Sequence, residues 1–131
     1  MLEYALPYLS SALEAQVTTA LSPSELTQQV FDRLQLTLTA FVANTRRRAD
    51  VNDWRNGTTE PNENQVQRLT VALELFDRVA AEDGPDMARL WIIGRGALVR
   101  GEEGSPAAAI RFGQFESARA AADLFLMEGW L

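Results

Sequence analysis

The chain has 131 residues, 47% apolar and 23% charged, with a formal net charge of −6 at pH 7, which suits one compact domain or two small helical lobes on a shared core and argues against a generic polyanion binder. It contains no cysteine and no histidine, and all twelve basic residues are arginine. These absences exclude disulfide frameworks, Cys/His zinc sites, thiol nucleophiles, histidine general bases, lysine Schiff bases and a phosphate-loop lysine.

Taken in chain order, Leu9, Leu13, Val17 and Ala20 recur at helical spacing and predict a helix over about 7–21, with Pro7 near its start. Its apolar face needs a surface to pack on and is expected to extend a dimer interface. Ser22-Pro23-Ser24-Glu25 reads as a capping box with proline at the first helical position. The helix it opens carries Leu26, Val30, Phe31 and Leu34. Thr37 is expected to cap a further helix bearing Leu38, Phe41 and Val42. After Arg46-Arg47-Arg48 comes a short helix, Asp50 to Arg55, stopped at Asn56-Gly57. Asn62 and Gln65 form a second capping box. Val66, Leu69, Leu73, Phe76 and Ala80 mark the helix behind it, ended by Gly84-Pro85.

Pro85 starts a short helix with Met87, Leu90 and Trp91. The glycines at 94, 96, 101 and 104 mark a loop with a brief helical segment near 97–100. Ser105-Pro106 opens another helix, and a last one runs over about 114–127 with Phe115, Ala118, Ala122 and Phe125 on one face. Gly129-Trp130-Leu131 forms a short tail. Trp91, Phe112, Phe115 and Phe125 are expected in the core; Trp130 either folds back or anchors in a partner pocket. No alternating run predicts a strand, and there are no repeats. The expected fold class is all-α, in three parts: an N-terminal helix over 1–22, a helix-turn-helix lobe over 23–66, and a C-terminal helical lobe over 67–131. No apolar run approaches a membrane span, and Met1-Leu2-Glu3 lacks a basic signal-peptide start, so a cytoplasmic protein is expected.

The stretch from Leu36 to Gly57, with Pro61 soon after, reads as a helix-turn-helix. Val51 and Trp54 lie three apart, so both face inward and pin the second helix across the first, leaving its other face for a major groove. Arg46, Arg47, Arg48, Asn52 and Arg55 are the candidate DNA-binding residues, the arginines because their fork donates two hydrogen bonds to phosphate. Residues 26–68 carry six arginines against five acids, and residues 69–131 six against ten. Positive charge is therefore concentrated at the candidate DNA-binding half. Asp50 and Asp53 are expected to point outward, where a carboxylate can accept from cytosine N4 but two together repel phosphate.

From about Leu36 onward the chain resembles the Xre/MbcA/ParS group of bacterial antitoxins. The resemblance rests on Val51-Asn52-Asp53-Trp54-Arg55-Asn56-Gly57 and Pro61, the long helix to Val79, Ala88-Arg89-Leu90-Trp91, Ala97-Leu98, and Gly104-Ser105-Pro106 with Ala107 to Gly113 behind. It implies an Xre-like helix-turn-helix followed by a toxin-binding domain. It further implies neutralisation of a RES-domain toxin that destroys NAD⁺ or transfers ADP-ribose, and autorepression through operator DNA. By that resemblance the C-terminal end reaches the toxin's active site, which maps onto Met127, Glu128, Gly129, Trp130 and Leu131; the competing candidate contact is the helix surface near Arg111 and Gly113, with the tail merely packing.

The expected molecule is a non-enzymatic homodimer with no cofactor, metal or membrane partner. Glu82-Asp83-Asp86 and Glu102-Glu103 lack calcium-loop spacing and read as solvated charge. Gly94-Arg95-Gly96 has no strand before it and reads as a packing loop. The alternative is a stand-alone Xre-type transcription regulator whose C-terminal half only dimerises.

Overall fold

A computed structural model describes residues 21–94 and 104–128. Among them are six helices and no strand: α1 (Pro23–Ala43), α2 (Arg48–Asn56), α3 (Glu63–Asp83), α4 (Pro85–Ile93), α5 (Pro106–Arg111) and α6 (Phe115–Glu128). The chain is thus all-α over this span, and no helix there is long and apolar enough to cross a membrane. The expected helix over about 7–21, except for Leu21, which is not helical, together with the helical turn near 97–100 and the tail at 129–131, lies outside the described residues.

The helix ends sit where local chemistry satisfies their unpaired backbone groups. Ser22 Oγ accepts from the Glu25 N–H at 3.0 Å, and the Ser22 N–H donates to Glu25 Oε1 at 3.1 Å. Hydrogen bonding to the Ser22 backbone N–H, and secondly to the Ser22 side chain, holds the Glu25 carboxyl below its ordinary pKa. Asn62 and Gln65 repeat the arrangement at the start of α3. Gly57 closes α2 at φ 77, a left-handed conformation that glycine adopts without a Cβ penalty.

Helix α1 is broken. Gln35 alone in it leaves helical geometry, at φ 67 and ψ −179. The division expected at Thr37 therefore falls two residues earlier. Side chains fix the break on both sides: Gln35 Nε2 donates to the Asp32 carbonyl at 3.4 Å, and Thr39 Oγ1 donates to the Gln35 carbonyl at 2.6 Å. Thr39 is fully buried, so its hydroxyl must find an acceptor inside the protein, and the Gln35 carbonyl is in reach. Thr37 instead accepts from Arg48 Nη1 at 3.3 Å.

The two halves of α1 wrap α3, which also carries α4 and α6. Leu69, Leu75, Phe76 and Val79 of α3 form the centre of the core. Leu26, Val30 and Leu34 reach it from α1, Val51 and Trp54 from α2, and Trp91 and Ile92 from α4. Trp91 packs on Phe125 of α6 with ring centroids 6.3 Å apart. The expected division between residues 66 and 67 falls inside α3, and buried side chains on both sides of it belong to one cluster. Phe112 departs from the expected core. It caps α5 and is 66% exposed, because the chain turns there and carries the ring outward; Phe115 is half-buried.

Val51 is fully buried and Trp54 is 4% exposed, both facing the cluster from one side of α2. Replacing Trp54 by alanine removes its indole from that cluster, and the loss should be about 3–5 kcal/mol, as for other large core aromatics. Urea unfolding of W54A checks this; an unchanged midpoint would show that Trp54 does not pin α2.

Candidate functional site

The turn between α1 and α2 is built by Asn44, whose left-handed backbone (φ 61, ψ 49) lets its N–H close on the Ala40 and Phe41 carbonyls. Asparagine tolerates this conformation better than most residues. Arg46, Arg47 and Arg48 follow, all exposed. Arg46 has no hydrogen bond or ion pair among the described residues. The Arg47 side chain is 74% exposed and makes only a loose contact with Asp50, 3.9 Å from Nε to Oδ1. An exposed pair at that distance contributes little. Arg48 is tied to Thr37. The turn therefore presents three guanidiniums whose hydrogen-bonding capacity is mostly unspent.

Asp50 is not directed freely outward as expected. It is half-buried in the first turn of α2, where Thr45 Oγ1 donates to its Oδ2 at 2.5 Å. The helix N-terminus favours a carboxylate here, and that bond turns the carboxylate back onto the loop. Asp53 is also half-buried; its backbone carbonyl accepts from the Thr58 N–H at 2.9 Å.

Asn52 is exposed, and its Oδ1 accepts from Arg55 Nη1 at 3.1 Å. Arg55 itself is committed to the fold. Its guanidinium lies 3.6 Å from the Phe31 ring centroid, and Nε donates to Gln28 Oε1 at 2.9 Å. Its carbonyl accepts from Ser24 Oγ at 2.7 Å. Arg55 thus staples the end of α2 to the first half of α1. Of the five candidate DNA-binding residues, three share the exposed turn, Asn52 stands on the exposed face of α2, and Arg55 is a packing residue.

The candidate toxin-binding residues are similarly divided. Arg111 Nη1 donates at 2.9 Å to the Phe41 carbonyl near the end of α1, which also accepts from the Asn44 N–H. Its guanidinium lies 4.8 Å from the Phe41 ring, and its own carbonyl accepts from Arg68 Nε at 2.8 Å. Gly113 closes α5 at φ 76, and a Cβ there would sit 3.4 Å from Arg68 Nη2. Both residues hold the α5–α6 turn in place. Met127, 81% exposed, and Glu128 lie at the other end of α6, some fourteen residues or about 20 Å along the helix. Gly129, Trp130 and Leu131 lie outside the described residues.

Two features had little sequence signal. Leu90 and Ile93 are about half-exposed on one face of α4, although their helical spacing suits a core face. A groove of about 670 Å³ opens at the break in α1, lined by Phe31, Leu34, Leu36, Leu38 and Phe41 with Ile93 opposite. Gln35 lies in its wall, with Ser105 and Ala107 also lining it, and no residue type announces the backbone at position 35. Among the described residues no three acidic side chains converge as a metal site would require.

Compared with known proteins, the chain matches no family model, no curated protein and no solved structure.

The two kinds of arginine predict different mutational outcomes. R55A removes a ring contact and a charged hydrogen bond, and should cost about 1–2 kcal/mol. R46A should stay within about 0.5 kcal/mol of wild type. Denaturant midpoints of the two variants check this, and equal midpoints would remove the distinction.

Proposed function

We propose that this chain is an antitoxin-like protein that binds and blocks a RES-domain, NAD⁺-consuming enzyme, and that its α1–α2 segment contacts operator DNA. The observation that carries the reading is the division of α2. Val51 and Trp54 are buried on one side, while Arg46, Arg47, Arg48 and Asn52 remain exposed at its start and along its other face. A helix pinned inward at its i and i+3 positions and bordered by exposed guanidiniums suits phosphate contact with a groove beside it. The local excess of one positive charge over residues 26–68, in a chain of net −6, supports the same assignment.

For the enzyme-blocking half, support comes from the end of α6. Met127 projects into solvent in its last turn, and Gly129, Trp130 and Leu131 follow it in the sequence. An indole on such a tail, seated in a partner's pocket, is a common source of concentrated binding energy. In this reading Arg111 and Gly113 fix the platform from which α6 extends, and do not themselves reach the enzyme. The assembly is a homodimer, and the chain performs no chemistry of its own.

Co-expression with a RES-domain protein encoded beside this chain, followed by capture and an NAD⁺ consumption assay, tests the proposal. The expected result is a stable complex with NAD⁺ preserved. Deleting Glu128 to Leu131 should weaken protection roughly tenfold or more. Full protection by the truncated chain would move the contact to the helices and favour a platform role for Arg111. Failure of the intact chain to form any complex would leave the DNA-binding regulator as the better reading.

A further inference from the structure

The arginines divide by their partners. Arg33, Arg78 and Arg119 pair with Asp77, Asp123 and Glu74, and each pair has one member between Glu74 and Arg78 of α3. Toward the start of α3 the pattern changes. Arg68 Nε donates to the Arg111 carbonyl, and Arg111 Nη1 donates to the Phe41 carbonyl. That same carbonyl accepts from the Asn44 N–H, which closes the turn leading to Arg46, Arg47 and Arg48. Arg48 reaches back to α1 at Thr37, four residues or about 6 Å along the helix from Phe41. Among the described residues Arg48, Arg68 and Arg111 make no ion pair with a carboxylate; their bonds go to carbonyl and hydroxyl oxygens, which hold a guanidinium in place and leave its charge uncompensated. The nearby acids are turned elsewhere, Asp50 onto Thr45 and Glu116 toward Arg119.

Phe112 stands beside these arginines. Its ring is 66% exposed and centred 6.0 Å from the Arg111 guanidinium, and it adds nothing to the core. Uncompensated guanidiniums spread over α2, α3 and α5, with an exposed ring among them, suit a nucleic-acid backbone: the forks meet phosphates, and the ring meets sugars or base edges. We propose that the DNA contact of the α1–α2 segment continues across the α5–α6 turn, with Arg68 and Arg111 on phosphates and Phe112 against the strand between them. The inference rests on the DNA reading of that segment and enlarges its footprint. Continuity decides between phosphate and an acidic protein surface. Arg111 and the turn that leads to Arg46 are anchored on one carbonyl, so a backbone that reaches the turn runs on to Arg111 without a gap.

Phosphate contacts are read without an operator, because they do not depend on sequence. The full-length chain is titrated onto a fluorescent, mixed-sequence duplex at a series of salt concentrations, and anisotropy gives the affinity. R111Q, which keeps a donor for the Phe41 carbonyl and loses the charge, should bind severalfold more weakly and flatten the slope of log K against log salt by about one. R111K should restore the slope. F112E, at an exposed ring, should also bind severalfold more weakly. A81E makes the same change in net charge at an exposed position thirteen residues or about 20 Å along α3 from Arg68, about two Debye lengths at roughly 0.1 M salt, and should bind as wild type does. Far-ultraviolet spectra check that each variant folds, and F112E carries the test if R111Q does not. Binding weakened by R46A with R47A, but unchanged in R111Q and F112E, would overturn this extension, leave the α1–α2 reading standing, and turn the α5–α6 surface toward a protein. Equal losses in A81E and F112E would reduce the effect to net charge and also overturn it. An intact chain that does not bind the duplex at low salt would overturn both.

Discussion

At Gln35 the backbone of α1 enters a region of φ/ψ space that is nearly reserved for glycine, at a cost of about 1–3 kcal/mol for a residue with a side chain. What holds it there is burial on both sides. Leu34 is sealed in the core before the break, and Thr39, Ala40, Val42 and Ala43 are sealed after it. A straight helix of 21 residues carries its apolar stripe along one line and cannot place both groups against α3 and α2 together. The break redirects the second half, so that Ala40 and Phe41 accept from Asn44 and the chain enters α2 with Val51 and Trp54 facing inward. The apolar groove lies at the same break.

A chain whose only cation is arginine has to use that side chain for opposite purposes. Arg33 pairs with Asp77 at 2.6 Å, Arg78 with Asp123 at 2.7 Å, and Arg55 and Arg111 cover aromatic rings and bond to other helices. The planar fork makes several fixed bonds at once, which lysine would not. Arg46 and Arg47 are left over from this bonding. Their exposure on a turn next to a pinned helix sets them apart chemically, more than the number of positive charges in the sequence does.

Much of the fold was legible in the residues. Ser22-Pro23-Ser24-Glu25, Asn62 with Gln65, Gly57, Gly84-Pro85 and Ser105-Pro106 each act locally, and each marks a helix end where the chemistry requires it. The inward pair Val51 and Trp54 was legible because its spacing has one meaning in a helix. The break was misplaced at Thr37 because threonine is a good cap, whereas the deciding residue is buried Thr39, four positions beyond Gln35. Burial depends on partners distant in sequence. The same reason explains Arg55 and Arg111. As residue types they signal phosphate or partner contact, but Phe31 and Phe41 claim them only once α1 is folded against α2 and α5. Phe112 went outward because a turn, not a helix face, sets its direction.

Equilibrium unfolding of Q35G and Q35A tests the break most directly, because the two possible backbones rank the same residues in opposite orders. With Gln35 at positive φ, glycine relieves the strain, and Q35G should be more stable than wild type by about 1 kcal/mol, with Q35A no better than wild type. If α1 were a continuous helix, alanine would be the most stable residue at position 35 and glycine the least, by about 1 kcal/mol. That reversed order would contradict the account, and with it the groove and the angle at which α2 is presented.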